Sequence, residues 1–132
     1  MGKLTQQNAV LPVNDNIINI FAYKSDNFNV SIEVNDLVDG ELTPFDFSGY
    51  TALMKVKRRR GDEDAFTVIA FDTSDGSIIL DTGTITLVKD SDAFDSIRVG
   101  KYVYDIELTK TADSSVQSII SGSFIVEQDI TT

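Results

Sequence analysis

The sequence predicts an all-β chain, an antiparallel β-sandwich or barrel of about eight strands. Three observations predict it. Between Phe45 and Thr131 apolar and polar residues repeatedly alternate with a period of two, the side-chain repeat of a half-buried strand. Gly and Asp/Ser clusters interrupt that alternation about every ten positions, a spacing typical of sandwiches. No helical period is sustained for the ~10–12 residues that a helix needs.

The elements follow in order. Residues 1–16 (MGKLTQQNAVLPVNDN) are polar, Gln/Asn-rich and aperiodic, and are expected to form an extended arm ahead of a single sandwich domain at 17–132. Residues 17–23 (IINIFAY) are a short apolar strand candidate. Phe28, Val30, Ile32 and Val34 alternate with Asn29, Ser31, Glu33 and Asn35 in a clear strand. DLVDGELTP (36–44) reads as a turn segment, because Asp39-Gly40 is a strong reversal signal and Pro44 cannot donate to a ladder. Residues 49–58 form the next strand, with Tyr50, Ala52, Met54 and Val56 on one face, and Phe66 to Phe71 follow a charged tip. Asp75-Gly76 precedes SIIL (77–80), and Thr82-Gly83 precedes TITLV (84–88) with Ile85 and Leu87 together. KDSDAFDSI (89–97) breaks the alternation, and Ser91 or Asp92 is expected to cap one helical turn carrying Ala93, Phe94 and Ile97 inward. Lys101 to Thr109 then places Tyr102, Tyr104, Ile106 and Leu108 on one face, and Val116 to Glu127 closes the chain with Ile120, Gly122, Phe124 and Val126.

Composition narrows the function. At 132 residues and 42% hydrophobic, the chain can bury one real core and is expected to be one domain. No apolar run approaches the ~20 residues that span a bilayer. The N-terminus has no apolar region of the ~7–15 residues a secretory signal carries. Gly2 resembles a myristoylation start, but the sixth residue is Gln6 rather than Ser or Thr. Cysteine and histidine are both absent. That removes disulfides, thiolate nucleophiles, imidazole bases and the serine–histidine–aspartate triad, so any enzyme would run on carboxylates, lysine, tyrosine or hydroxyls. The expectation is that the chain is not an enzyme and holds no cofactor.

Charge is unevenly spread. Residues 61–132 carry four Lys/Arg and fourteen Asp/Glu, the whole net charge of −10. A field of that sign repels nucleic-acid phosphates. The exception is Lys55, Lys57, Arg58, Arg59 and Arg60, followed by Asp62, Glu63 and Asp64. Arg58–Arg60 are candidates for gripping a phosphate or an acidic partner surface. The plainer reading, a solvated hairpin tip whose charges neutralise each other, is favoured.

Other constellations are weighed the same way. Tyr102 and Tyr104 are read as core rather than as a sugar-binding platform. Asp105 and Glu107 project from the opposite face, where paired carboxylates lie ~6–7 Å apart, within range of glycosidase chemistry. A solvated acidic strand face is the commoner outcome. Asp72 and Asp75, or Asp90 and Asp92, supply oxygen ligands in loops, but none matches the Asp-rich calcium-loop pattern. No metal site is assigned.

Three segments in order carry a resemblance: Asp46-Phe47-Ser48-Gly49-Tyr50-Thr51; then Gly76, Ile78, Leu80, Gly83, Thr84, Ile85 and Leu87; then Gly100, Tyr102, Tyr104, Asp105, Ile106, Glu107 and Leu108. Together they resemble a family of small bacteriophage virion proteins, immunoglobulin-like β-sandwich modules that look like the N-terminal domain of phage baseplate upper proteins. The resemblance covers roughly residues 26 to 130, with Phe47 in place of the usual leucine. It implies an immunoglobulin-like sandwich acting as a virion structural or adaptor protein of tail, baseplate or neck, assembled in the bacterial host cytoplasm. It also implies docking on other virion proteins, homo-oligomerisation in the particle, and no catalytic residue, nucleic-acid site or membrane contact. A capsid decoration or head-fibre protein, or a receptor- or carbohydrate-binding module, is the alternative.

A polar segment that cannot bury itself stays disordered or folds onto a partner. A sandwich edge can accept such a segment as an added strand. The arm residues Gln6, Gln7 and Asn8 therefore join Arg58, Arg59 and Arg60 as candidate partner contacts.

Overall fold

Two β-sheets enclose one apolar layer in the computed structural model, which describes residues 4–11, 16–59, 61, 63 and 66–128. In chain order the strands are β1 (Leu4–Leu11), β2 (Asn16–Ile17), β3 (Ile20–Tyr23), β4 (Phe28–Val38), β5 (Glu41–Pro44), β6 (Tyr50–Lys57), β7 (Thr67–Asp72), β8 (Ile78–Asp81), β9 (Thr84–Lys89), β10 (Gly100–Lys110) and β11 (Val116–Glu127). One sheet has the order β1-β4-β9-β8, with β5 paired to the far end of β4. The other has the order β2-β11-β10-β6-β7, with β3 also on β11.

The alternation is what builds this sandwich. In β4 the inward residues Phe28, Val30, Ile32 and Val34 are buried, and in β10 Tyr102, Tyr104, Ile106 and Leu108 are. Rings from both sheets meet where Phe28 touches Phe71 and Phe94 at 5.6 Å and Phe124 at 5.7 Å. Such tilted contacts add to the area each ring removes from water.

The all-β sandwich expected from the sequence is therefore present, with eleven strands among the described residues rather than about eight. The additions are β1, the division of 17–23 into β2 and β3, and β5. Pairing also departs from purely antiparallel. β1 runs parallel to β4, and β2 and β3 run parallel to β11. All three parallel pairings come from the first 23 residues, which visit one sheet and then the other.

The interruption between β2 and β3 has a specific cause. Ile18 N–H donates to Ser121 O (2.9 Å), and Ile18 O accepts from the buried Tyr104 hydroxyl (2.6 Å). The Ile18 carbonyl can come this close because Gly122 opposite has no side chain. A Cβ there would lie 2.1 Å from Ile18 O, and φ is +156°. One further irregularity sits on β11, where Ile106 pairs with Ile120 but Glu107 pairs with Ser118. This β-bulge leaves Ile119 unpaired and lets Ile119 and Ile120 both point into the core.

The helical turn expected near 90–97 is a 3₁₀ turn at Ser91–Phe94, and it buries Phe94 and Ile97. Its expected cap is corrected. Asp90, not Ser91 or Asp92, precedes the turn and makes no side-chain cap bond. The open Ser91 N–H is met from elsewhere in the chain, by Asn27 Oδ1 at 3.0 Å. Lys24 Nζ fastens the same segment by donating to Ile97 O (2.9 Å) and Asp95 O (3.3 Å).

Candidate interaction surfaces

What can meet another molecule is set by where the sheets end. β7 and β8 are consecutive and lashed together. Asp72 N–H donates to Ser77 Oγ (2.8 Å), and Ser77 donates to Asp75 Oδ1 from its backbone N–H (2.9 Å) and its hydroxyl (2.5 Å). They form one side of the sandwich. β1 and β2, also consecutive, form the other.

Arg58 and Arg59 lie at the tip joining β6 to β7, and both are exposed; Arg60 lies outside the described residues. Phe66 stands beside them, 62% exposed, with its N–H donating to Glu63 O (2.9 Å). A large ring left in water beside two guanidinium groups is the most conspicuous apolar exposure at this tip. The sequence pattern starts a strand at Phe66. β7 begins one residue later, because a bulge between Val56 and Lys57 pairs Lys57 with Thr67.

Behind the tip, the outer face of the second sheet carries an open groove of about 500 Å³. Lys55, Lys57 and Arg59 line it together with Asp105, Glu107 and Ser118. Lys55 stands directly across the ladder from Asp105, and Asp105 also accepts from Ser118 Oγ (3.3 Å). The Asp105 carboxylate thus faces a cation on the neighbouring strand, a pairing worth roughly 0.2–1 kcal/mol on a sheet surface, whereas Glu107 stands opposite Leu53. Tyr102 and Tyr104 point the other way, into the core, with hydroxyls on Arg98 O (2.7 Å) and Ile18 O (2.6 Å). Core packing, not a sugar platform, is their role.

Gln6, Gln7 and Asn8 lie on β1, in register with Ser31, Ile32 and Glu33 of β4. They stand on the β1–β2 side, whereas the arginine tip belongs to the β7–β8 side. The two sets of candidate contacts are not brought together, so they make two surfaces rather than one site.

A third surface is one the sequence reading treated only as a turn. β4 and β5 form a hairpin that continues past the end of β9, with Leu37 opposite Leu42 and Val38 opposite Glu41. Asp39 (φ +51°) and Gly40 (φ +81°) both take the left-handed conformations of a type I′ hairpin turn. Leu37, Val38 and Leu42 are 45%, 49% and 57% exposed. The available signal was Leu37 and Leu42 placed symmetrically about Asp39-Gly40.

The hairpin and the arginine tip occupy opposite ends of the sandwich. β4 starts at Phe28, whose ring meets Phe124; Phe124 pairs with Tyr102, beside the end where β6 finishes. The hairpin is at the other end, near Phe45, whose ring lies 5.6 Å from Tyr50 at the start of β6.

The Asp-rich loops are occupied by their own backbones. Asp46 accepts from Ser48 N–H (2.9 Å), Asp72 from Ser74 N–H (3.0 Å), and Asp113 from Ser115 N–H (3.0 Å). The bonds from Ser48 and Ser115, and those from Ser77 to Asp75, hold Asp46, Asp113 and Asp75 below the usual carboxylate pKa. Among the described residues no group of three or more acidic side chains is placed to hold a metal ion.

No protein-family model matches the sequence, and no curated protein matches it. The solved structures do contain this fold. The N-terminal domain of phage TP901-1 ORF48 superposes with a TM-score of 0.56 over 95% of this chain and 99% of that one, at 13% identity. At that identity the likeness establishes a shared sandwich fold.

Proposed function

We propose that this chain is a bacteriophage virion structural protein, an adaptor of tail, baseplate or neck that binds neighbouring virion subunits and catalyses nothing. The observation that carries the reading is the near end-to-end likeness to the N-terminal domain of phage TP901-1 ORF48. Three sequence segments that resemble baseplate upper-protein modules support it, because they coincide with framework elements. Asp46–Thr51 opens β6, the run from Gly76 to Leu87 is the β8–β9 hairpin, and Gly100–Leu108 is β10. The proposed contacts are the sheet edges, the Arg58–Arg59 tip and the arm, with Gln6, Gln7 and Asn8 on the β1 edge. An edge strand offers a row of unpaired backbone groups that a neighbouring chain can complete.

A mass-spectrometric census of particles purified from the virus that encodes this chain tests the proposal. The expected result is a fixed, symmetric copy number and loss of incorporation when residues 1–16 are deleted. Absence from the particle, or specific glycan binding by the isolated chain, would replace this reading with a soluble recognition module.

A further inference from the structure

β4 needs a strand on each flank. Its inward residues Val30, Ile32 and Val34 are buried, and β9 pairs along one flank. Along the other, β1 fills the ladder, with Leu4 opposite Asn29 and Leu11 opposite Asp36. Without β1 a row of backbone groups would stand open beside the core, the kind of edge that captures another chain. Among the described residues β1 ends its sheet and pairs with β4 alone. It is also free of charge, since LTQQNAVL contains no ionisable residue in a chain of net charge −10. Its insertion into a second acidic copy therefore sets no like charges opposite each other.

The way β1 is joined to the rest favours exchange. β1 runs with β4 toward the hairpin end, and β2 runs with β11 back from it. The chain must reverse direction and change sheets between Leu11 and Asn16, with four residues in between. That stretch of chain reaches at most ~18 Å, and the sheets alone stand ~10 Å apart. Pro12 opens the connection. Its ring fixes φ and keeps Leu11 out of the helical region, which directs the chain straight on from β1 rather than back. A short connection of this kind invites its strand into a neighbouring copy, where no reversal is needed.

We propose that β1 is exchanged between copies: residues 4–11 of one chain fill the β4 flank of another, in the register found within one chain. The ladder lost and the ladder gained are the same, so the balance is set by the connection and by concentration. Each copy gives one strand and receives one, and a pair or ring closes with every β4 flank filled. This deepens the reading of the chain as an assembly subunit and rests on it, because neighbours held in an assembly supply the local concentration that exchange requires.

The absence of native cysteine makes the test direct. Gln6 and Ser31 are register partners, and neighbouring strands lie about 4.8 Å apart, within the roughly 4.4–6.8 Å that a disulfide spans. Full-length Gln6→Cys and Ser31→Cys chains of different isotopic mass are unfolded, mixed at about 200 µM, refolded and oxidised, a concentration that populates weak association. Intact mass should show a disulfide joining the two different chains. Gln6→Cys mixed with Lys101→Cys, a position in the other sheet, should give about tenfold less. The double variant Gln6→Cys/Ser31→Cys, oxidised dilute, should close the same bond within one chain, which shows that both substitutions keep the ladder. Inserting Gly-Ser-Gly after Pro12 frees the chain to turn back. It should lower the cross-chain disulfide about tenfold and leave the in-chain bond intact. No disulfide between different chains, a Lys101→Cys control that links equally well, an insertion without effect, or a double variant that forms no bond would overturn the exchange. If the particle census still finds the chain after that result, the virion reading stands and only the exchange is lost.

Discussion

Substituting Gly122 with alanine should destabilise the domain more than any other single added methyl group. The added Cβ would lie 2.1 Å from Ile18 O and 2.8 Å from Ile18 C, both backbone atoms that no rotamer change can move aside. Either β11 or the Ile18 segment must shift, and the φ of +156° adds backbone strain of about 1–3 kcal/mol for a residue with a Cβ. Moving Ile18 also strains the hydrogen bond from the buried Tyr104 hydroxyl and the one from Ile18 N–H to Ser121 O. An unsatisfied buried hydroxyl costs about 1–3 kcal/mol. Together these give about 2–6 kcal/mol, a large part of the ~5–15 kcal/mol that holds a domain folded. With a urea m-value of about 2 kcal/mol/M, the unfolding midpoint should fall by roughly 2 M. Tyr104→Phe alone should cost about 1–2 kcal/mol. The double variant should lose less than the sum of the two, because both act through Ile18. A Gly122→Ala midpoint within ~0.3 M of wild type, or strict additivity, would refute the close approach described here.

Three further predictions follow from the core and the turns. Phe124→Ala removes the ring that meets Phe28, Phe71 and Phe94 and should cost about 3–5 kcal/mol by urea unfolding. Burial raises the Tyr104 pKa above its ordinary 10.0, so the stability it contributes is whole below pH 10 and is lost as pH rises beyond it. Fluorescence-monitored unfolding should therefore show an alkaline limb above pH 10 that Tyr104→Phe flattens. Hydrogen bonds from Ser77 lower the Asp75 pKa from 3.8, so its contribution is present above that value and lost as pH falls through the lowered one. The stability difference between wild type and Asp75→Asn should then close as the pH drops below 3.8, read from urea midpoints.

Much of this fold was legible in the sequence, because a two-residue period records which face of a strand is buried. The inward sets Ala52-Met54-Val56, Tyr102 to Leu108 and Ile120 to Val126 are read directly from alternation, and the core contains them. What alternation does not record is pairing. Nothing local in LTQQNAVL says that it lies parallel to β4, since that ladder depends on backbone groups 25 residues away. The bulge at Ile119 and the Ile18–Gly122 approach are invisible for the same reason, although an inward-facing glycine in a strand is a known sign of a close backbone. Of the candidate contacts, the arginines stand at the expected exposed tip. The apolar hairpin is not legible as a surface, because Asp39-Gly40 reads as a bare turn, whereas a type I′ turn also extends the strands it joins.

We propose that this sandwich meets its neighbours through tips and edges, its interior being filled by its own side chains. A cryo-EM map of the assembly containing this chain tests that claim most directly. Neighbouring density is expected against the β4–β5 hairpin, the Arg58–Arg59 tip and the β1 edge. A map in which those three surfaces face solvent and the groove between Lys55 and Asp105 holds a small molecule would contradict that expectation.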